Sequence, residues 1–177
     1  MYTVPNNYAF IDGNNLRLTY INLKIDFKYD KFISYLSKKH NVSKVYYFIG
    51  HIPSCQSTYD RLSSFGYTMS HRDTSTQQGR LITCPKCKQP YQEKTKVKCD
   101  CDADIALRMI NEINDYDKAI LISSDGDFDN TVKQLLKADK LDMVLACCKK
   151  GCSNLLVRAA RGRIAFLDEL LPEIEKY

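Results

Sequence analysis

Four short apolar runs along the chain predict buried strands. They are residues 8–11, 45–49, 119–122 and 143–146, and polar residues or glycine follow the first three. Short runs that are apolar throughout are typical of parallel strands covered on both faces. The pattern therefore predicts a sheet buried between two other layers.

Between these runs, apolar residues recur at the three- and four-residue spacing of amphipathic helices. The stripes begin at Phe32, Tyr59, Ile105 and Phe128, and the C-terminal stretch 165–174 has the same pattern. Strands that alternate with helices predict an α/β fold with a mainly parallel central sheet, helices on both faces and right-handed crossovers.

The stretch from about residue 74 to 101 interrupts this alternation. It is polar, rich in Gln and Lys, and poor in apolar residues. Such a segment cannot bury a core of its own, so we interpret it as a small insert stapled by a metal ion. The length of 177 residues is sufficient for one domain, and we expect residues 1–177 to form a single domain that contains this insert.

Composition narrows the class of protein. Hydrophobic residues make up 44% and charged residues 27%, which excludes a disordered or fibrous chain. No run of apolar residues is long enough to cross a membrane, and the N-terminus lacks the features of a signal peptide. We expect a cytoplasmic protein without a membrane partner. The sequence does not decide whether exposed aromatic or basic faces form a homodimer.

Four of the eight cysteines are closely spaced within the insert. Two short-spaced pairs can supply the four thiolates of a tetrahedral Zn²⁺ site, and this is the interpretation that we favour. Free thiols or a redox pair are the alternatives to a zinc site. A further alternative is a zinc site in which His71 replaces one of the cysteines. The four candidate zinc ligands are Cys84, Cys87, Cys99 and Cys101.

Acidic residues follow two of the predicted strands and precede one predicted helix. In an open parallel sheet, ligands bind beyond the carboxyl ends of the strands, so we expect these acids to converge there. Each acid alone has a structural explanation, as a helix cap or a turn residue. Together they would repel one another without a cation, and carboxylates are the ligands that Mg²⁺ and Mn²⁺ prefer. The acids are Asp12, Asp102, Asp125 and Asp127.

Three motifs around these acids resemble the NYN domain, in its LabA-like branch of the PIN-like nucleases. They are residues 10–16 (FIDGNNL), residues 98–106 (KCDCDADIA) and residues 121–128 (LISSDGDF), within a resemblance that runs from about residue 8 to 170. The resemblance implies a Rossmann-like three-layer α/β sandwich and a metal-dependent ribonuclease. It places the four acids on the metal-site positions, Asn15 after the first acid and Ser123 before the second acidic pair.

The sequence departs from the family pattern at three positions. Ser124 replaces the glycine that usually precedes the first acid of the third motif. Arg108 replaces an acid that is often found one turn into the middle helix, and it would place a cation near substrate phosphate. Arg161 follows Ala160 where the family often has Ala-Asp. None of the four acids is lost.

Positive charge is concentrated in two segments. Residues 78–101 contain six basic and two acidic residues, and residues 149–163 contain five basic residues and no acid. Localised positive charge is typical of a nucleic-acid-binding surface, although lysines that solvate an insert would give the same pattern. The candidate nucleic-acid contacts are Lys86, Lys88, Lys94, Lys96, Arg108, Lys149, Lys150, Arg158 and Arg161.

These observations favour a nuclease that depends on Mg²⁺ or Mn²⁺, acts on RNA and contains a structural Zn²⁺. A first alternative is a nucleic-acid-binding or regulatory module of the same fold without catalysis. A second alternative is a metal-dependent phosphohydrolase for a small molecule. We rank this alternative last because the sequence contains no Gly-rich phosphate-binding loop.

Overall fold

The computed structural model describes residues 5–92 and 96–177, and it shows an α/β fold. The strands are β1 (Asn7–Asp12), β2 (Val42–Gly50), β3 (Tyr67–Arg72), β4 (Ser75–Gln77), β5 (Leu81–Thr83), β6 (Pro90–Gln92), β7 (Lys96–Lys98), β8 (Ala119–Ile122), β9 (Leu141–Ala146) and β10 (Ile164–Phe166). The helices are α1 (Gly13–Leu23), α2 (Tyr29–His40), α3 (Gln56–Ser64), α4 (Asp102–Asn111), α5 (Asp129–Lys137), α6 (Asn154–Ala160) and α7 (Leu167–Ile174). Short 3-10 turns occupy Pro53–Cys55 and Gly126–Phe128.

Six of these strands form the central sheet, in the order β10-β9-β8-β1-β2-β3. All five neighbouring pairs are parallel. In the centre, Ile11 on β1 is in register with Ile122 on β8 and with Tyr47 on β2. Because the strands are parallel and in register, the residues that follow β1, β2 and β8 all lie at one edge, which we call the carboxyl edge.

Helices cover both faces of the sheet. On one face, α1, α2, α3 and α7 pack against side chains such as Ile11 and Tyr47. On the other face, α4, α5 and α6 pack against side chains such as Phe10 and Leu121. The observed fold confirms the predicted sandwich with a parallel sheet, and alternate side chains of β1 point into the two cores, as the pleat of a strand requires.

The structure corrects one helix boundary and adds elements. The C-terminal helix was expected over 165–174, but Ala165 and Phe166 belong to the edge strand β10, and α7 begins at Leu167. Strands β3 and β10 and helices α1 and α6 were not predicted. None of the helices within the described ranges is long and apolar enough to span a bilayer.

The insert consists of two small antiparallel ladders outside the central sheet. One ladder pairs β4 with β7, and the other pairs β5 with β6. Each strand has three residues, and the described side chains of β5 and β6 are mostly exposed. The insert returns to the main fold at residues 99–101, directly before α4. Its position next to the carboxyl edge follows from this connection.

Candidate active site at the carboxyl edge of the sheet

Asp12 lies at the centre of the carboxyl edge, where β1 ends and α1 begins. Its Oδ1 accepts the backbone N–H of Asn15 at 2.9 Å, which is the usual helix-capping bond, and its Oδ2 accepts the Ser123 hydroxyl at 3.1 Å. Only 6% of the residue is exposed. Burial raises the pKa of Asp12 above its usual value, and these hydrogen bonds oppose that effect.

Gly13 allows α1 to start this close to the sheet. A Cβ atom at this position would lie 2.4 Å from the ring of Tyr47 and 2.6 Å from the carbonyl oxygen of Phe48. Both distances are shorter than van der Waals contact, so a larger residue would push α1 away from β2. The glycine after Asp12 therefore helps to keep the carboxylate at the edge of the sheet.

Two serines after β8 connect the strand ends by hydrogen bonds. The Ser123 hydroxyl donates to Asp12 and accepts the backbone N–H of Asp125 at 3.1 Å. The Ser124 hydroxyl accepts the backbone N–H of Cys147 at 2.8 Å, and the Ser124 N–H donates to the side-chain oxygen of Asn15 at 3.1 Å. These bonds hold the loop after β8 against both neighbouring segments.

Asp102, the first residue of α4, brings a second carboxylate to the same edge. Burial is the largest cause that raises the pKa of Asp102 to about 7. The negative charges of Asp12, Asp100 and Asp125 raise this pKa further. The charge of Asp125 also raises the pKa of Asp12. Three acids from distant parts of the sequence therefore lie close enough to repel one another.

Asp125 and Asp127 have different surroundings, although they are two residues apart. Asp125 is half-buried, and its carboxylate accepts the backbone N–H of Asp127 at 3.1 Å, which caps the 3-10 turn. Asp127 is exposed on that turn. The structure thus brings Asp12, Asp102 and Asp125 together, whereas the role of Asp127 at a metal site stays a prediction.

Asp100 is an additional member of the cluster that the sequence interpretation did not select. Its carboxylate accepts the backbone N–H of Asp102 at 3.3 Å, and its charge acts on the Asp102 carboxylate. The signal in the sequence is its position two residues before Asp102. By contrast, the carboxylate of Asp104 forms an ion pair with Arg72 at 2.8 Å.

The chemistry of these oxygens suits a hard divalent cation. Carboxylates that raise one another's pKa lose that repulsion when a cation binds between them. Within residues 5–92 and 96–177, however, no three His, Cys, Asp or Glu side chains are grouped so that they could hold a metal ion as they stand. A cation would therefore have to draw the carboxylates closer together.

The four cysteines of the insert lie as two pairs in different parts of it. Cys84 and Cys87 are in the turn between β5 and β6, where backbone N–H groups of Cys87 and Lys86 lower the pKa of Cys84. Cys99 and Cys101 follow β7, with their sulfur atoms 3.2 Å apart. A single zinc site needs the two pairs to meet, and it stays a prediction.

His71, the substitute zinc ligand, lies on β3 among aromatic rings. Its ring centroid is 4.7 Å from that of Tyr59 and 5.4 Å from that of His51. Burial and the neighbouring His51 lower the pKa of His71, which favours its neutral form. The described contacts of His71 are therefore with aromatic rings, although the residue is exposed at the end of the edge strand.

The basic residues differ in how freely they can meet a nucleic acid. Arg108 binds Glu112 at 3.0 Å and lies over the ring of Tyr46, and Lys149 binds Glu169 at 2.7 Å. Both cations are therefore already paired. Lys94 lies outside the described residues. Lys96 belongs to β7, and the exposed candidates are Lys86, Lys88, Lys150, Arg158 and Arg161.

The parallel sheet and its acidic carboxyl edge place the protein among the PIN-like, Rossmann-like α/β proteins. Residues 8–168 match the family model of the NYN domain. The chain therefore belongs to the NYN domain family, which is a PIN-like nuclease family. This membership supports a nuclease-type function with a nucleic-acid substrate and a divalent metal.

Two individual proteins are similar over nearly the whole chain. The "Low amplitude and bright protein LabA" of Synechococcus elongatus is 27% identical over an alignment of 177 positions, which covers 94% of this chain and 86% of the relative. A crystal structure of a protein of unknown function from Vibrio parahaemolyticus superimposes with a TM-score of 0.69 at 18% identity, over 96% of this chain and 97% of that one. The second comparison supports the fold alone.

Proposed function

We propose that this protein is a divalent-metal-dependent nuclease that hydrolyses phosphodiester bonds in RNA. The observation that supports the proposal most directly is the convergence of Asp12, Asp102 and Asp125. They come from three segments and lie at one edge of the sheet, where the charge of Asp125 raises the pKa of both Asp12 and Asp102. Groups with perturbed pKa values that converge at the carboxyl edge of an α/β sheet are typical of a catalytic site.

Asp12, Asp102 and Asp125 would hold Mg²⁺ or Mn²⁺, with Asp127 at the exposed rim. When bound, such an ion activates water and stabilises negative charge on phosphate oxygens. The neighbouring polar side chains would position the carboxylates and the substrate. Ser123 orients Asp12 and Asp125 through its two hydrogen bonds. Asn15 uses its side-chain oxygen for Ser124, and we assign its amide N–H group to a phosphate oxygen.

The substrate approaches the acids past the two basic segments. A polyanion needs such localised positive charge before it can enter an acidic site. Phosphate contacts of this kind position a strand without reading its sequence. We assign them to the exposed Lys86 and Lys88 on the insert and to Lys150 and Arg158 after β9. Arg108 and Lys149 are already paired with Glu112 and Glu169, and Arg161 ends α6 at the opposite edge of the sheet, before β10.

Replacement of single carboxylates tests this proposal. Asp12→Asn and Asp125→Asn should each slow Mn²⁺-dependent cleavage of RNA at least ~100-fold, because metal stabilisation of the transition state contributes several kcal/mol. Asp129→Asn is the matched control, since Asp129 lies on the same segment and pairs with Lys133. Mn²⁺ should also raise the unfolding temperature of the wild type but not of Asp12→Asn.

A second candidate function is nucleic-acid binding without cleavage. Arg108 stands where related sequences often carry an acid, and its guanidinium binds Glu112 instead of adding a carboxylate to the cluster. Salt-sensitive RNA binding by a wild-type protein that cleaves neither RNA nor DNA with Mn²⁺ would establish this candidate and refute the nuclease.

A further inference from the structure

A pocket opens beside the carboxylates, between the first turns of α1 and the base of the insert. Its volume is about 360 Å³, and Arg17, Leu18, Ile52, Cys99 and Asp100 are among the residues that line it. This volume lies at the lower end of the range for small-molecule sites in proteins. The pocket can therefore receive one ring system together with its sugar, but not a folded chain.

The pocket is joined to the candidate active site by two direct contacts. Asp100, on its rim, accepts the backbone N–H of Asp102 at 3.3 Å. Asn14, two residues after Asp12, also lines the pocket. Its side-chain amide donates to the carbonyl oxygen of Cys99 at 3.4 Å. A ligand in the pocket would thus be next to the carboxylates.

The floor of the pocket is closed by tight packing at Gly50, the last residue of β2. A Cβ atom there would lie 2.6 Å from the Cβ of Cys99 and 2.7 Å from Cγ2 of Thr74. The end of the central sheet and the base of the insert therefore meet without a gap. The insert forms one wall of the pocket, and α1 forms the opposite wall.

The two walls differ in chemistry from the acidic edge. Leu18 is 49% exposed and Ile52 is half-buried, so apolar surface faces the opening. Arg17 is exposed at the same place, and none of the ion pairs within residues 5–92 and 96–177 involves it. Arg108, on the other side of α4, is occupied by Glu112 and Tyr46.

We propose that this pocket binds the nucleobase of the nucleotide next to the scissile phosphate, with Leu18 and Ile52 against the base and Arg17 beside its phosphate. The proposal rests on the nuclease function proposed above. Single-stranded RNA presents unstacked bases, and arginine binds their faces whatever the sequence. Apolar side chains also pack against a base that is held in a pocket. Arginine is also suited to phosphate recognition because of its planar set of donors.

The topology of the sheet indicates the path of the RNA across the site. The pocket adjoins the end of β2, on one side of Asp12, and the loop after β8 lies on the other side. The exposed Lys150 follows β9, the next strand along the sheet. A strand with one base in the pocket would therefore cross the three carboxylates before it reaches Lys150.

The test uses a short single-stranded RNA from which one base at a time is removed along its whole length. With Asp12→Asn protein that carries no further change, one position should matter more than its neighbours, and its loss should weaken binding about 10-fold. Leu18→Ala should weaken binding of the intact RNA to a similar extent and abolish the difference between positions. Arg17→Ala should weaken binding to every oligonucleotide. Ile21→Ala, 56% exposed on the same helix, is the control for Leu18.

Lys176→Ala controls for the loss of one positive charge, since Lys176 is exposed beyond the end of α7. All binding is measured by fluorescence anisotropy with Asp12→Asn protein in a chelator, so that the readout does not depend on cleavage. A position-dependent effect that Leu18→Ala removes would support the pocket even if the wild type cleaves nothing, in which case only the nuclease proposal fails. Equal binding by the Leu18→Ala and Ile21→Ala proteins, or by Arg17→Ala and Lys176→Ala, would overturn the pocket proposal.

Discussion

The carboxyl edge and the insert each contain four residues that the sequence singles out as metal ligands, yet the two regions are built differently. At the carboxyl edge, Asp12 and Asp125 follow strands whose last apolar residues, Ile11 and Ile122, are fully buried and in register. In the insert, Cys84 and Cys87 lie between two strands of three residues with mostly exposed side chains, whereas Cys99 and Cys101 lie next to α4 and pack against the core. Sheet register places Asp12 and Asp125 at one edge in the first region, whereas the two cysteine pairs of the second region are attached to different short ladders.

The difference shows what supports a site. Asp12 and Ser123 are held by the hydrophobic core on both sides of the sheet, so burial has already offset the conformational entropy of placing them. The insert has little apolar surface, and a metal ion would have to supply most of the free energy that orders it. Variants in the two regions should therefore differ in the size of their effects.

The largest effect is expected from the core below the acids. Phe10 is fully buried, with ring centroids 5.5 Å from Tyr46 and 5.8 Å from Tyr116. Phe10→Ala should lower the free energy of unfolding by about 3–5 kcal/mol, because it leaves a cavity. Tyr91→Ala, at a 49% exposed position of the insert, should change it by less than about 0.5 kcal/mol. Urea unfolding measures both, and equal effects would contradict the comparison.

A smaller effect is expected from the hydrogen bonds at the carboxyl edge. Ser124→Ala leaves the buried N–H of Cys147 without its acceptor and should lower the free energy of unfolding by about 1–3 kcal/mol. Ser64→Ala is the control, since its hydroxyl bonds to the carbonyl of Arg61 on an exposed helix end. If urea unfolding gives the same small change for both variants, the loop after β8 is not held as described.

The central strands could be predicted from the sequence because they are buried on both faces. All four predicted runs lie within β1, β2, β8 and β9. The edge strands were missed for a related reason. Strand β3 contains Thr68, Ser70, His71 and Arg72, since an edge strand is partly solvated and loses the apolar run.

Local residue preferences explain the other misses. Helix α1 begins with Gly13, Asn14 and Asn15, which are weak helix formers, and it is started by the Asp12 cap and its packing on β2. The convergence of Asp12 and Asp125 could be predicted because both lie at the carboxyl ends of parallel strands, and that of Asp102 because it starts the helix that precedes β8. The contribution of Asp100 could not, because it depends on how the insert joins α4.

After the effects of Phe10→Ala and Ser124→Ala, the next largest effect on stability is expected at Asp102. Here the substitution raises the free energy of unfolding, and the size of the gain depends on pH. The pKa of Asp102 is raised to about 7 in the folded protein, mainly by burial, so charging this carboxyl destabilises the native state. Its favourable contribution is complete below the unfolded pKa of ~3.9 and is lost as the pH rises towards 7. In a chelator at pH 8, Asp102→Asn should therefore raise the free energy of unfolding by on the order of 1 kcal/mol, because partial exposure screens the effect.

The gain of Asp102→Asn should shrink towards zero at pH 4, where the wild-type carboxyl is protonated in the native state. Asp104→Asn is the matched control, two residues further along the same helix. It loses an ion pair with Arg72 and should bring no gain at either pH. Thermal unfolding of the three proteins at both pH values measures the difference. A gain that is the same at pH 4 and pH 8 would show that the raised pKa of Asp102 is not its cause.

The smallest change in stability is expected at the tip of the insert, and it bears on the zinc prediction. If the two cysteine pairs meet around one Zn²⁺, Cys84→Ser should reduce bound zinc from about one ion per chain to almost none, since three thiolates bind far more weakly than four. The free energy of unfolding of the central sheet should nevertheless change by less than about 0.5 kcal/mol, because Cys84 contributes nothing to either core.

The control for this prediction is Cys148→Ser, which lies outside the insert and should leave the zinc content unchanged. Zinc analysis after dialysis, together with urea unfolding, separates the outcomes: unchanged zinc in Cys84→Ser would refute the four-cysteine site, and a loss of more than about 2 kcal/mol would show that the insert and the sheet unfold as one unit.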